Sequence, residues 1–109
     1  MSTVSYDDFT KLDIRVAKII ATEPIEGKSR IIKGTIDLGN NDKRDVIVGG
    51  AQYIQHEEIV GKTVIVLANL EPKKMAGVES NAMLLAADVE DKPFWLTVTE
   101  DVPLGSPIK

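Results

Sequence analysis

The sequence predicts an all-β domain, a small barrel of five short strands carrying one or two helical turns. Apolar residues alternate over short runs such as Leu12–Val16, Ile36–Leu38 and Lys62–Ala68, the period of a half-buried strand. Glycine and asparagine punctuate those runs, most clearly at Gly39–Asn40–Asn41–Asp42 and Gly49–Gly50. A chain of 109 residues fits one domain with a modest core, and we expect residues 1–109 to form a single unit.

The elements are expected in this order. Ser5–Phe9 forms a short N-terminal helix within a 1–10 segment. Ser5 is its cap, and Asp7 and Asp8 sit in the first turn, where acids are favoured. Tyr6 and Phe9, three apart, are expected to share a buried face. Leu12–Ala21 is the first strand. Its alternation breaks at Ile19–Ile20–Ala21, which predicts a bulge or a barrel corner. Asp13 and Arg15 share a face and are expected to pair structurally.

Thr22–Gly27 is a loop and Ser29–Leu38 the second strand. Gly34 inside that strand predicts curvature or close backbone approach. The Gly39–Asp42 turn joins it as a hairpin to a third strand, Arg44–Val48. Ala51–Gln55 is a helical turn that packs Tyr53 or Ile54 inward, and His56 is a surface or rim histidine.

Lys62–Ala68 is the fourth strand. It is apolar on both faces, which calls for a cover on both, from an adjoining element or another subunit. Asn69–Asn81 is a connecting loop and Ala82–Ala87 a fifth strand. The remainder, 88–109, is an extension with an acidic turn, a peripheral strand through Phe94, Leu96 and Val98, and a loop at Val102–Ser106. A long first strand that bends is what a five-stranded OB-type barrel needs. An SH3-like barrel satisfies the same patterning.

Composition excludes several function classes. There is no cysteine, so zinc–thiolate sites, thiol nucleophiles and disulfides are absent. Residues 1–10 lack the basic start and apolar centre of a signal peptide. No apolar run reaches membrane-spanning length, and the expected location is the cytoplasm. No glycine pattern matches a phosphate-binding loop or dinucleotide fingerprint. With one histidine and only adjacent acidic pairs, we expect no catalytic residues, no metal site and no cofactor, and therefore no enzyme.

The net charge of −4 opposes a strongly basic nucleic-acid binder. Much of the acid lies near the chain ends, at Asp7, Asp8, Asp88, Glu90, Asp91, Glu100 and Asp101. A local basic face remains, built from Lys28, Arg30, Lys33, Lys43, Arg44, Lys73 and Lys74.

Several stretches carry a family resemblance. They are Phe9–Val16, Ile36–Gly39, Leu67–Leu70, Pro72, Lys73, Met75, Gly77, Glu79–Ser80, Ala82–Ala86 and Val102–Ser106. Together they resemble the stand-alone tRNA-binding domain family. That family includes the C-terminal domain of many bacterial methionyl-tRNA synthetases, EMAP-like and Arc1-like domains, and CsaA-type chaperones. The resemblance spans nearly the whole chain. It implies an OB-fold that binds tRNA by its structure, in single-domain members commonly as a homodimer.

It also implies that Asn69–Met83 faces the RNA, with Asn69, Lys73, Lys74, Met75 and Ser80 on the motif. Lysines neutralise phosphates, whereas Asn69 and Ser80 suit sugar hydroxyls or base edges. The stretch is itself charge-neutral, so the basic face needs Arg30, Lys33 or Arg44, or a second subunit. Homodimerisation is expected also from the doubly apolar fourth strand and from Phe94 and Trp95. Partnership in trans with an aminoacyl-tRNA synthetase is a further expectation. The alternative is a CsaA-like module that binds peptides or a synthetase.

Overall fold

The barrel is built on one long, bent strand. The computed structural model describes residues 2–109; Met1, part of the expected N-terminal segment, lies outside them. Strand β1 (Ile14–Pro24) is antiparallel to β4 (Thr63–Leu67) along its first half, from Ile14↔Leu67 to Lys18↔Thr63. Along its second half it is antiparallel to β2 (Ile31–Asp37), from Lys18↔Asp37 to Pro24↔Ile32. The register shifts between Ile19 and Ala21, where the alternation breaks in sequence. That bulge turns one strand from one side of the barrel to the other.

The interior parity of β1 is that of Ala17 and Ile19, both fully buried in the core. Strand β2 continues through the Gly39–Asp42 turn into β3 (Lys43–Gly49), in register from Ile31↔Gly49 to Asp37↔Lys43. Asn40 and Asn41 take φ of 51° and 63° in that turn, a conformation asparagine tolerates. Ile32 and Ile36 line the core beside Val46 and Val48 of the adjacent strand, with Ile32 opposite Val48 in the ladder. Gly34 lies between the two isoleucines, where a side chain would crowd the two valines. A Cβ there would sit 3.0 Å from Val48 Cγ2 and 3.4 Å from Val46 Cγ2.

The five-stranded sheet is completed by β7 (Met83–Leu84) in the order β3-β2-β1-β4-β7. Two 3-10 turns, Ala51–Tyr53 and His56–Ile59, follow β3. Ile54 and Ile59 pack on the core, whereas Tyr53 is exposed. The second turn is absent from the sequence expectation. His56 stands at the rim, with Thr22 Oγ1 3.3 Å from Nδ1 and Glu57 Oε1 3.4 Å from Nε2.

Several expectations are corrected. Among them are the peripheral strand, which covers Lys92–Trp95 and not Leu96 or Val98, and the Thr22–Gly27 loop, since β1 runs on to Pro24. Helix α1 (Tyr6–Thr10) is capped by Ser5 as expected, with Asp8 N donating to Ser5 Oγ at 3.1 Å, but it buries no residue. Tyr6 is 74% exposed, with its ring centroid 6.4 Å from that of Phe9. The expected fifth strand is split. β7 ends at Leu84, and β8 (Ala86–Val89) leaves the barrel to pair with β9 (Lys92–Trp95) around Glu90 and Asp91.

Val102–Ser106 is not a free loop. Because β1 pairs with β2 only from Lys18 onward, its first half would present an open edge. The C-terminal residues fill it. Gly105 N donates to Val16 O at 2.8 Å, Val16 N to Ser106 O at 3.0 Å and Ile108 N to Ile14 O at 2.8 Å.

The same segment explains the doubly apolar fourth strand. Val16 and Ile65 are cross-strand partners, buried but outside the barrel core. The chain's own C-terminal residues pass beside both, with Ile65 N donating to Leu96 O at 3.2 Å. The second apolar face of β4 is buried within one chain, and it no longer argues for a second subunit.

Candidate nucleic-acid interface

Residues 68–82 connect β4 to β7, and Asn69–Asn81 within them, expected to be a loop, contains a hairpin. Strands β5 (Lys73–Met75) and β6 (Val78–Ser80) pair antiparallel, Lys73↔Ser80 and Met75↔Val78. Ala76 and Gly77 join them with φ of 52° and 79°, the left-handed pair that matches strand twist in a two-residue turn. Three-residue strands are too short to show an alternation in sequence.

The hairpin sets the two lysines apart. Successive strand residues point to opposite faces. Lys73 and Met75 line a cavity of about 170 Å3 with Ile47, Leu70 and Met83, and Lys74 stands on the other face, opposite Glu79 in the ladder. Both lysines are exposed, and among the described residues neither is in an ion pair. Met75 is half-buried, a flexible side chain on a mostly apolar wall.

The polar residues of the motif are turned onto the protein itself. Asn69 accepts from Asp13 N at 2.9 Å and donates to Lys11 O at 2.7 Å, which pins the chain entering β1. Ser80 Oγ accepts from Ile47 N at 3.0 Å and donates to Ala82 O at 3.0 Å. With Asn81 N donating to Asp45 O at 3.0 Å, these bonds close the gap between β3 and β7, where no ladder forms. An open barrel seam would leave β3 amides unpaired, so the serine acts as a substitute rung.

Arg44 is also engaged internally. Its Nε and Nη2 donate to the two Asp42 carboxylate oxygens, each at 3.0 Å. Its Nη1 donates to Ala68 O at 2.6 Å and to Asn81 O at 3.1 Å. Asp13 and Arg15 form a second bidentate pair, 2.8 and 2.7 Å, as expected.

The hydrogen bond from Arg44 holds the Asp42 carboxyl below its ordinary range. Partial burial opposes that shift, and the charges of Arg44 and Arg15 reinforce it. The Arg15 guanidinium is raised above its ordinary value, first by its bond to Asp13, with desolvation opposing and the charges of Asp13 and Asp42 adding.

Lys33 lies 3.5 Å from Glu23 and 3.7 Å from Asp45. Arg30 is exposed and stands just before β2, at the end of the β2–β3 ladder away from Arg44. The structure therefore brings together Arg44, Ser80, Met75 and Lys73 around the hairpin. It sets Lys33 one strand further away, and Arg30 stands at the far end of the ladder. Among the described residues, no group of three or more acidic or histidine side chains is placed to hold a metal. No helix among them is long and apolar enough to cross a membrane.

A nearly closed five-stranded antiparallel barrel, with a hairpin between its last two barrel strands, defines an OB-type binding module. The chain belongs to the family described as "Putative tRNA binding domain", which it matches over residues 14–107. It is 52% identical over 106 residues to a methionine–tRNA ligase of Methanocella arvoryzae, covering 97% of this chain and 15% of that one. It is 43% identical over 108 residues to the methionine–tRNA ligase of Clostridium tetani, covering 97% and 17%.

The chain thus spans a small part of the ligases it matches, and corresponds to their non-catalytic tRNA-binding portion. A solved structure of a MetRS related protein from Pyrococcus horikoshii superposes with a TM-score of 0.91, at 37% identity and full coverage of both chains. The CsaA chaperone protein of Picrophilus torridus superposes with a TM-score of 0.86 at 27% identity, covering 98% of this chain and all of that one.

Proposed function

We propose that the chain binds folded tRNA through its backbone and shape, with the β5–β6 hairpin as the leading contact. The observation that carries this is the pair of exposed lysines, Lys73 and Lys74, free of ion pairs among the described residues on a hairpin beside the barrel seam. Membership of the family supports it, as does the likeness to methionine–tRNA ligases. Arg30 extends the basic surface and Lys33 adds to it, although Glu23 and Asp45 temper Lys33. Met75 offers an exposed base a soft apolar wall. Ser80 ties the hairpin to β3 and Asn69 holds the chain entering β1, so both act first as supports of the fold.

In this reading the module acts in trans with an aminoacyl-tRNA synthetase in the cytoplasm, as a homodimer. Exposed Tyr6, Leu12, Phe94, Leu96 and Val102 are among the apolar residues available for such a dimer, whereas Trp95 packs on the barrel core. Light scattering at assay concentration tests it, with a dimer mass expected and a monomer mass contradicting it.

The RNA reading is tested by tRNA retention across salt. Affinity should fall log-linearly with salt, and Lys73→Ala with Lys74→Ala should flatten the slope by roughly 0.7–0.9 for each phosphate no longer neutralised. An unchanged slope in the double variant removes the hairpin as the binding surface.

A second reading is favoured by one observation. The cavity lined by Ile47, Leu70, Met75 and Met83 is apolar enough to take a peptide side chain, and the fold is shared with a CsaA chaperone protein. Binding of unfolded peptide that persists at high salt, with no tRNA retention, would select it.

A further inference from the structure

The stretch that carries the hairpin begins where β4 ends and finishes where β7 begins. Ala68 and Asn81 lie near its two ends. Both of their carbonyls accept from the same nitrogen, Arg44 Nη1, at 2.6 and 3.1 Å. Those acceptors are 24 and 37 positions away in sequence, so one guanidinium ties two distant points of the chain across the mouth of the loop. Asp42 fixes the other edge of the guanidinium with two 3.0 Å bonds. The guanidinium thus makes four hydrogen bonds within the protein, and its side chain is only 25% exposed.

We propose that Arg44 is a positioning residue: it clamps both ends of the 69–81 segment and so presets the hairpin for RNA, without contacting phosphate itself. This rests on the RNA reading above for its consequence, though the clamp is a property of the protein alone. Only a planar fork serves two carbonyls and a carboxylate at once. A lysine at 44 retains the charge but has neither the fork nor its reach. A preorganised hairpin binds without first being ordered, and a loosened one loses affinity although every RNA-facing group is still present.

The test compares wild type with Arg44→Lys, Arg44→Met and Asp42→Asn. The clamp predicts that R44K and R44M both lose affinity for tRNA, by roughly tenfold, with the salt slope unchanged. D42N should shift in the same direction by less. Hydrogen exchange without RNA is the second readout. In R44K the amides of residues 73–80 should exchange faster while those of β1 and β4 keep their protection.

A direct phosphate contact predicts the reverse: R44K binds like wild type, and R44M shows a slope flatter by roughly 0.7–0.9. That result, or hairpin exchange unchanged in R44K and R44M, overturns the proposal. Should wild type retain no tRNA, the RNA reading fails, and the exchange experiment alone decides the clamp.

Discussion

Asp42 is the residue through which acid reaches the barrel seam. Its folded carboxyl is held below the ordinary value, first by the bond from Arg44. A depressed carboxyl stabilises the fold above its unfolded pKa of about 3.9, and that contribution is lost as pH falls through the lower folded value. Wild type and Asp42→Asn should therefore differ in urea midpoint near pH 6 and converge as pH falls through the depressed folded value. A constant gap across that range would separate Asp42 from the pH dependence.

Ser80 is a second test at this scale. Removing its hydroxyl leaves Ile47 N without its 3.0 Å partner, and Ser80→Ala should cost about 1–3 kcal/mol in urea unfolding. A cost near zero would mean that water replaces the rung.

The residue types of the candidate site were legible in the sequence, but their partners were not. Arg44 read as part of a basic face because charge is visible in sequence, whereas its distant carbonyl acceptors are not. Ser80 and Asn69 likewise show their chemistry but not whether that chemistry is spent inside the fold.

At the scale of elements, the strands with long apolar runs were readable. The break at Ile19–Ile20–Ala21 located the bulge that bends β1, and Gly34 marked the close approach to Val46 and Val48. Gly34→Ala should cost about 1–3 kcal/mol from overpacking against those valines, read as a lower thermal midpoint. A midpoint equal to wild type would show that Val48 yields without strain.

Two elements were unreadable for physical reasons. The β5–β6 hairpin is three residues a side, too short for a period to register. The C-terminal edge segment takes its conformation from β1, and its own pattern is only a proline–glycine loop.

That segment also crosses the β2–β3 turn closely. A Cβ at Gly39 would lie 2.7 Å from Leu104 O, and one at Gly105 would strike Leu38 O. Both glycines have positive φ, so the crossing tolerates no other residue without strain. Gly105→Ala should release the segment, seen as faster amide exchange at Val16 and Ile108. Retained protection there would show that the β1 bonds hold without the crossing.

At the scale of the whole molecule, the proposed function asks an acidic protein to bind a polyanion. The net charge of −4 lowers long-range attraction, so binding depends on where the unpaired cations sit. Asp13, Asp42 and Asp45 are neutralised by Arg15, Arg44 and Lys33. Lys73, Lys74 and Arg30 are exposed and free of ion pairs among the described residues, as are Lys18, Lys28, Lys43, Lys62, Lys92 and Lys109 elsewhere on the surface. Binding confined to the hairpin lysines and Arg30 should have a shallow salt slope, steeper if a dimer presents two hairpins to one RNA.

The most direct measurement is a retention titration of folded tRNA against an unstructured RNA of equal length, from low to high salt. Structure-directed binding through the hairpin lysines predicts that folded tRNA is retained more tightly at every salt concentration and that its retention declines log-linearly. Equal retention of the two RNAs, or retention indifferent to salt, would contradict it.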